Sequence, residues 1–259
     1  MPNLSARART PSLWEPTQTG VWTIVTTDGA ATGGGAEGAN SDISVEGCHF
    51  LGAHGSVNTA ATNILLGNCT RCYITQNWLD GLGGISVVIG GGSQTGNHAV
   101  GNWVTDNLFT SCGVGCFATI NGKDWHVDRN TFTDAGNPGG SVTFFIDIEP
   151  NASTDLEEAF TINGNIIDNR HGTATTPNGI VIQNGLTGAS YGPGIVADNI
   201  ITDGSIDPTI TNTMSNGVLI DSGTRDKRSA NKRSATLLCE MVVVARTRKL
   251  KNHLTLGTN

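Results

Sequence analysis

The stretch FFIDIEPN, residues 144–151, sets two carboxylates, Asp147 and Glu149, two positions apart in an otherwise apolar run. On an extended strand that spacing puts both side chains on one face, ~6.5–7 Å apart. Two acids at such a separation suit cleavage of a glycosidic bond. One gives a proton and the other acts as base or nucleophile, at ~5–5.5 Å for retention and ~6.5–9.5 Å for inversion. Close acids also push their pKa values apart, so two similar groups take different roles. Period-two alternation sends Phe144, Ile146 and Ile148 inward and leaves Phe145, Asp147 and Glu149 facing solvent. Pro150 cannot donate a ladder hydrogen bond, so the strand ends there with the acids at its rim.

The elements that must position this pair repeat along the chain. ISVEGCHFLG, CYITQNWLDG, NWVTDNLFTSCG, WHVDRNTFTDAG, FTINGNIIDNRHG and GIVADNIITDG each hold an alternating apolar strand, a fixed polar position and a short apolar return. The fixed position is Gly47, Asn77, Asn107, Asn130, Asn165 and Asn199. A second column, GISVVIGGG, CFATINGK, FFIDIEPN, GIVIQNG and GVLIDSG, aligns on Ile89, Ile120, Ile148, Ile182 and Ile220. Repeats stacked one strand spacing apart (~4.8 Å) bring the asparagine amides into line, each donating to the carbonyl oxygen of the next. The pattern predicts an all-β fold, a single parallel β-helix with an asparagine ladder, over residues 41–224. Residues 1–40 are read as an N-terminal segment or cap, and 225–259 as a basic tail of different composition.

Carrying this alignment across the coils sets Asn121 and Gln183 on either side of Glu149, with Asp221 one coil further. Thr119, Val181 and Leu219 fall beside Asp147. The result is a polar rail along the helix axis, with Phe145 and two long insertions as its wall. Amides and carboxylates beside an aromatic surface are how sugars are gripped. The expected acid residues are therefore Asp147, Glu149 and Asp221, with Asn121, Gln183 and Phe145 as substrate contacts. Elimination chemistry would need a base and a cation instead. Lys123, Arg129, Arg170 and His171 are candidates for the first, and calcium held by Asp147, Glu149 and Asp221 for the second.

Charge narrows the partners. Residues 1–224 carry six basic and 20 acidic residues, a net of −14, while 225–259 carry nine basic and two acidic, a net of +7. An acidic body repels nucleic acid and anionic membrane but accepts a neutral glycan or a cation. No run is long and apolar enough to span a membrane, and the start, MPNLSARARTPSLW, lacks the apolar core of a signal peptide. The six cysteines include CTRC and CGVGC, which read either as a zinc site or as buried thiols and local disulfides. Neither reading fixes the redox compartment, and the oligomeric state is not encoded in any motif.

These repeats resemble the right-handed parallel β-helix family of the pectate lyase-like type. DWHVDRNTFTDAG, residues 124–136, is similar to the WIDH…F stretch of pectate lyases, with Arg129 where the histidine stands. The NTD, DD, GHG and RIK motifs of polygalacturonase-type hydrolases are absent. The resemblance implies a secreted or cell-surface protein acting on a polysaccharide, as hydrolase or lyase. The alternative is a non-catalytic glycan-binding or adhesive solenoid using the same groove.

Overall fold

Glycine, asparagine and β-branched residues are poor helix formers, and the chain accordingly turns its apolar periodicity into short strands. The computed structural model describes residues 5–7, 24–26, 40–51, 62–67, 69–80, 84–90, 98–133, 144–150, 154–169, 177–183, 190–202, 216–221 and 237–240. Within these, every strand pairing is parallel, and strands of two to six residues form four sheets.

Each coil visits the sheets in one order. Sheet I holds seven strands, including Thr62–Leu66, Ile85–Ile89, Gly115–Thr119, Phe144–Ile148, Asn178–Gln183 and Asn216–Asp221. Sheet II follows with Cys69–Thr70, Ala99–Val100, Gly122–Lys123, Leu156–Glu158 and Ser190–Tyr191 among its six. Sheet III contains Ser44–Glu46, Tyr73–Thr75, Trp103–Thr105, His126–Asp128, Phe160–Asn163 and Gly194–Ala197 among its eight. Sheet IV closes the coil with His49–Leu51, Trp78–Asp80, Leu108–Thr110, Thr131–Thr133, Ile166–Asp168 and Ile200–Thr202. In every sheet a strand's neighbours come from the preceding and following coils, which makes the fold a parallel β-helix. Strands also come from outside residues 41–224: Ser5–Arg7 pairs with Ser44–Glu46, Ile24–Thr26 with Thr62–Leu66, and Leu237–Glu240 with Gly194–Ala197.

The core is a set of stacked columns. Val45, Ile74, Val104, Val127, Ile162 and Val196 stack inside sheet III, and Phe50, Leu79, Phe109, Phe132 and Ile167 inside sheet IV, all buried. Phe109 and Phe132 stack at 4.6 Å, and Trp125 and Phe160 at 4.9 Å, close to one strand spacing.

The asparagine ladder runs along the bend from sheet III to sheet IV. The side-chain oxygen of Asn107 accepts from Asn77 N and Asn77 Nδ2, both at 3.0 Å, and Asn130, Asn165 and Asn199 repeat this toward the preceding rung. Each Nδ2 also donates to a carbonyl further back: Val45, Ile74, Val104, Val127 and Ile162. One amide thus satisfies donors and acceptors that a buried bend would otherwise strand. The first rung corrects the sequence alignment by one residue. Cys48, not Gly47, occupies the ladder position, its N–H donating to Asn77 Oδ1 at 2.9 Å. Gly47 instead heads the column of left-handed residues just before the ladder, with Gln76, Asp106, Arg129, Gly164 and Asp198.

Cys69 is disulfide-bonded to Cys72, and Cys112 to Cys116. Of the two readings of CTRC and CGVGC, local disulfides are the one found. All four residues are buried.

Candidate functional site

Sheet I sets the register of the acidic stretch. Gly115 pairs with Phe144, Ala118 with Asp147 and Thr119 with Ile148, and the next rung pairs Val181 with Asp147 and Ile182 with Ile148. The expected alignment therefore slips by one residue at a single coil, where Thr119 and not Ile120 takes the inward position beside Ile89 and Ile148. Three expectations change with it. Ala118 replaces Thr119 next to Asp147, Ile120 replaces Asn121 next to Glu149, and Asn121 leaves the rail.

Alternation also fails at the start of the strand. Phe144 belongs to an outer apolar cluster with Val88, Ala118 and Val181, whereas Phe145 and Ile146 both lie in the inner core. The ring of Phe144 lies over Gly115, which has no Cβ to meet it. Phe145 is fully buried and cannot wall a groove. Asp147 does lie on the outer face, in the column Leu65, Val88, Ala118, Val181 and Leu219, but it is only 1% exposed. The expectation that it faces solvent is corrected: its side chain is buried.

Glu149 follows the strand end, its N–H donating to Thr119 O at 3.0 Å, and it is partly exposed. Gln183 pairs with Asp221, and Ile148 with Ile182, so Glu149, Gln183 and Asp221 take one register position on three successive rungs. That register is the one expected for Gln183 and Asp221.

The structure gathers a second set of polar groups that the sequence did not single out, on the bend from sheet I to sheet II. Glu157 enters the core at the register position of Gly122, is wholly buried, and accepts from Trp125 Nε1 at 2.8 Å and Thr119 Oγ1 at 3.0 Å. A Cβ on Gly122 would meet the Trp125 ring at 2.8 Å, so glycine there makes room for the indole that holds Glu157. Burial drives the Glu157 carboxyl well above its usual range, and the charges of Asp155 and Asp147 push the same way. The hydrogen bonds from Trp125 and Thr119 oppose that shift but do not reverse it. Tyr191, one rung on, donates to Ile148 O at 3.2 Å. Burial raises its phenol too, as do the charges of Glu157, Asp147 and Glu149. Asn121 is buried beside this group, its Oδ1 accepting from Leu156 N at 3.1 Å and contacting His98 Nδ1. Because Leu156 N–H fixes that oxygen as an acceptor, His98 carries its proton on Nδ1.

The remaining candidates disperse. Lys123 lies 3.6 Å from Glu158 on the outside of sheet II. Arg129 makes a two-pronged pair with Asp106 through Nε and Nη2, at 2.9 and 2.8 Å, on the III–IV bend. That pair holds the carboxyl of Asp106 below its usual range and the guanidinium above its own. Arg170 and His171 lie outside the described residues, as do the side chains of Gln183 and Asp221. Among the described residues no three His, Cys, Asp or Glu side chains converge as a metal-ligand set.

The Glu157 group was hard to find because its strands are two or three residues long and show no periodicity. The one signal was an acid doublet, Glu157–Glu158, in what reads as a loop insertion. Comparison with protein-family models, with curated proteins and with solved structures returns no match for this chain.

Proposed function

We propose that the protein takes a polysaccharide lengthwise over the strand ends of sheet I and cleaves it there by hydrolysis. The observation that carries this reading is the column of Glu149, Gln183 and Asp221 on three successive rungs. Two strand spacings separate the outer acids by ~9–10 Å between Cα atoms, close to the ~6.5–9.5 Å that inverting hydrolysis uses between carboxyl groups. Glu149 and Asp221 form the acid–base pair, and Gln183 supplies amide hydrogen bonds to the sugar between them. Hydrolysis is favoured over elimination because Lys123 and Arg129 are both engaged by carboxylates. The resemblance to pectate lyase-like β-helices supports a polysaccharide substrate, and with it a secreted or cell-surface setting.

The second reading, a solenoid that binds glycan without cleaving it, is favoured by one observation. Asp147, Asn121 and Phe145 are all buried, so three expected contacts cannot reach a polymer. A panel of polysaccharides, scored for reducing ends and for unsaturated-uronate absorbance, separates these outcomes. Reducing ends without absorbance are expected, and Glu149→Gln and Asp221→Asn should each lower kcat by ~10²–10⁴. Binding without either product supports the second reading, and absorbance would replace hydrolysis with elimination.

A further inference from the structure

Seven large apolar side chains are more than a third exposed among the described residues, and all seven lie on sheets III and IV. Leu51, Trp78, Leu108, Ile166 and Ile200 point out from sheet IV, and Tyr73 and Ile195 from sheet III. Trp78, Leu108, Ile166 and Ile200 form one stripe along an outward column of sheet IV, broken at Thr131, with Leu51 in the neighbouring column beside Asp80. Tyr73 and Ile195 stand at the two ends of a second stripe along sheet III, with Trp103, His126 and Thr161 between them. Exposed apolar side chains concentrated on two neighbouring sheets mark an interaction surface.

The same face is acidic. Its outward and bend positions carry Glu46, Asp80, Asp128, Asp168 and Asp198, and no strand of sheets III and IV that spans residues 44–202 contains a lysine or arginine. Arg129, on the bend, is already matched by Asp106.

This chemistry selects among occupants. A glycan would want ring faces, but Tyr73, Trp103 and His126 stack on one another at 4.9 and 5.1 Å, and His49 on Trp78 at 4.0 Å. In-register stacking leaves mainly ring edges outside, and the rest of the patch is aliphatic. A second copy of the same face would set five carboxylates against five. An anionic membrane is repelled for the same reason. What fits is a protein segment bearing apolar and basic side chains together.

The chain carries one. The described residues end at Glu240, in a strand paired to Gly194–Ala197 at the last rung of sheet III, beside Ile195 and next to the bend. The 19 residues beyond it contain Arg246, Arg248, Lys249 and Lys251, with Val242, Val243, Val244, Leu250, Leu254 and Leu256, and no acid. Extended at ~3.3 Å per residue they reach ~60 Å, while the six rungs of the face span ~24 Å. We propose that residues 241–259 dock back along the outer face of sheets III and IV of the same molecule. Their apolar side chains cover the two stripes and their basic groups pair with the flanking acids.

Carbodiimide coupling of the full chain, followed by isolation of monomer and peptide mapping, tests this. At low salt Lys249 or Lys251 should couple within one molecule to Asp80, Asp128, Asp168 or Asp198. The yield should fall at least threefold in 1 M salt, where the screening length is ~3 Å. Coupling mainly to Glu149 or Glu158 on the other sheets, coupling only between molecules, or none in the monomer overturns the proposal. The full-length variant Leu108→Ser/Ile166→Ser should also lose at least threefold in yield. Unchanged coupling in that variant would remove the apolar contact and with it the docking site.

Discussion

The bend from sheet III to sheet IV and the bend from sheet I to sheet II face the same problem and treat it differently. Each must turn the chain while satisfying buried backbone groups. The first uses one asparagine per rung, from Asn77 to Asn199, with the same bonds each time. The second spans from Ile89 to Ala99, from Thr119 to Gly122 and from Ile148 to Glu157, with a different polar group on each rung. Uniformity there satisfies the same buried groups on every rung. Variation here leaves room for ionisable groups inside the coil, and this is the bend beside the Glu149 column.

The largest effect that sharpens this contrast is expected from Asn130→Ala. It removes the acceptor for Asn107 N and Nδ2 and the donor to Val104 O, all buried. The cost should be ~2–4 kcal/mol in chemical denaturation and independent of pH, since no titratable group is involved. A loss under ~0.5 kcal/mol would mean that the ladder is incidental.

Glu157→Gln should act in the opposite way. In the unfolded chain Glu157 ionises near 4.5, and in the fold it does so well above that. Folding therefore favours the protonated form, so its contribution is intact below pH ~4.5 and is lost as pH rises toward the folded pKa. Glutamine keeps an acceptor for Trp125 or Thr119 and cannot ionise. The variant should match the parent in acid and exceed it at neutral pH, by ~1.4 kcal/mol per pH unit through which Glu157 stays protonated. Melting temperatures from pH 4 to 8 that run parallel for the two proteins would put Glu157 in contact with water.

The smallest effect concerns the surface of the uniform bend. Arg129 has a φ of +56°, in a column that includes Gly47 and Gly164. Arg129→Gly gives up an exposed ion pair but relieves a left-handed backbone, so its stability should stay within ~1 kcal/mol of the parent. Arg129→Ala gives up the pair without that relief and should fall below the glycine variant by roughly 1 kcal/mol. Equal stability of the two variants would show that the bend stores no backbone strain.

The asparagine column was legible because one residue type recurs at one demand, so the amino-acid text repeats wherever the physics repeats. Sheet I was legible except at the start of FFIDIEPN, where Phe144 turns outward and Phe145 inward, and at Thr119, where an isoleucine one position on offered a better apolar match than the residue that faces inward. That threonine is inward because its hydroxyl serves Glu157, a partner 38 residues away that no local pattern announces. The pair in FFIDIEPN was half readable for a related reason. Alternation gives the face of a strand but not what lies over it, and Asp147 is buried where period-two reasoning expects solvent. Glu149, beyond the strand end, is partly exposed.

The ladder also has a direction in time. The N–H and amide nitrogen of Asn77, Asn107, Asn130 and Asn165 find an acceptor on the rung that follows, as Asn77 does on Asn107 and Asn165 on Asn199. Ribosomes deliver the chain from its N-terminus, so a coil leaving the exit tunnel holds donors whose acceptor has not yet been translated. Each coil is completed by its successor, and folding must trail synthesis by one turn of the solenoid. A pause in translation between Asn130 and Asn165 would leave a nascent edge with an open amide, ready to be filled by whichever strand arrives first.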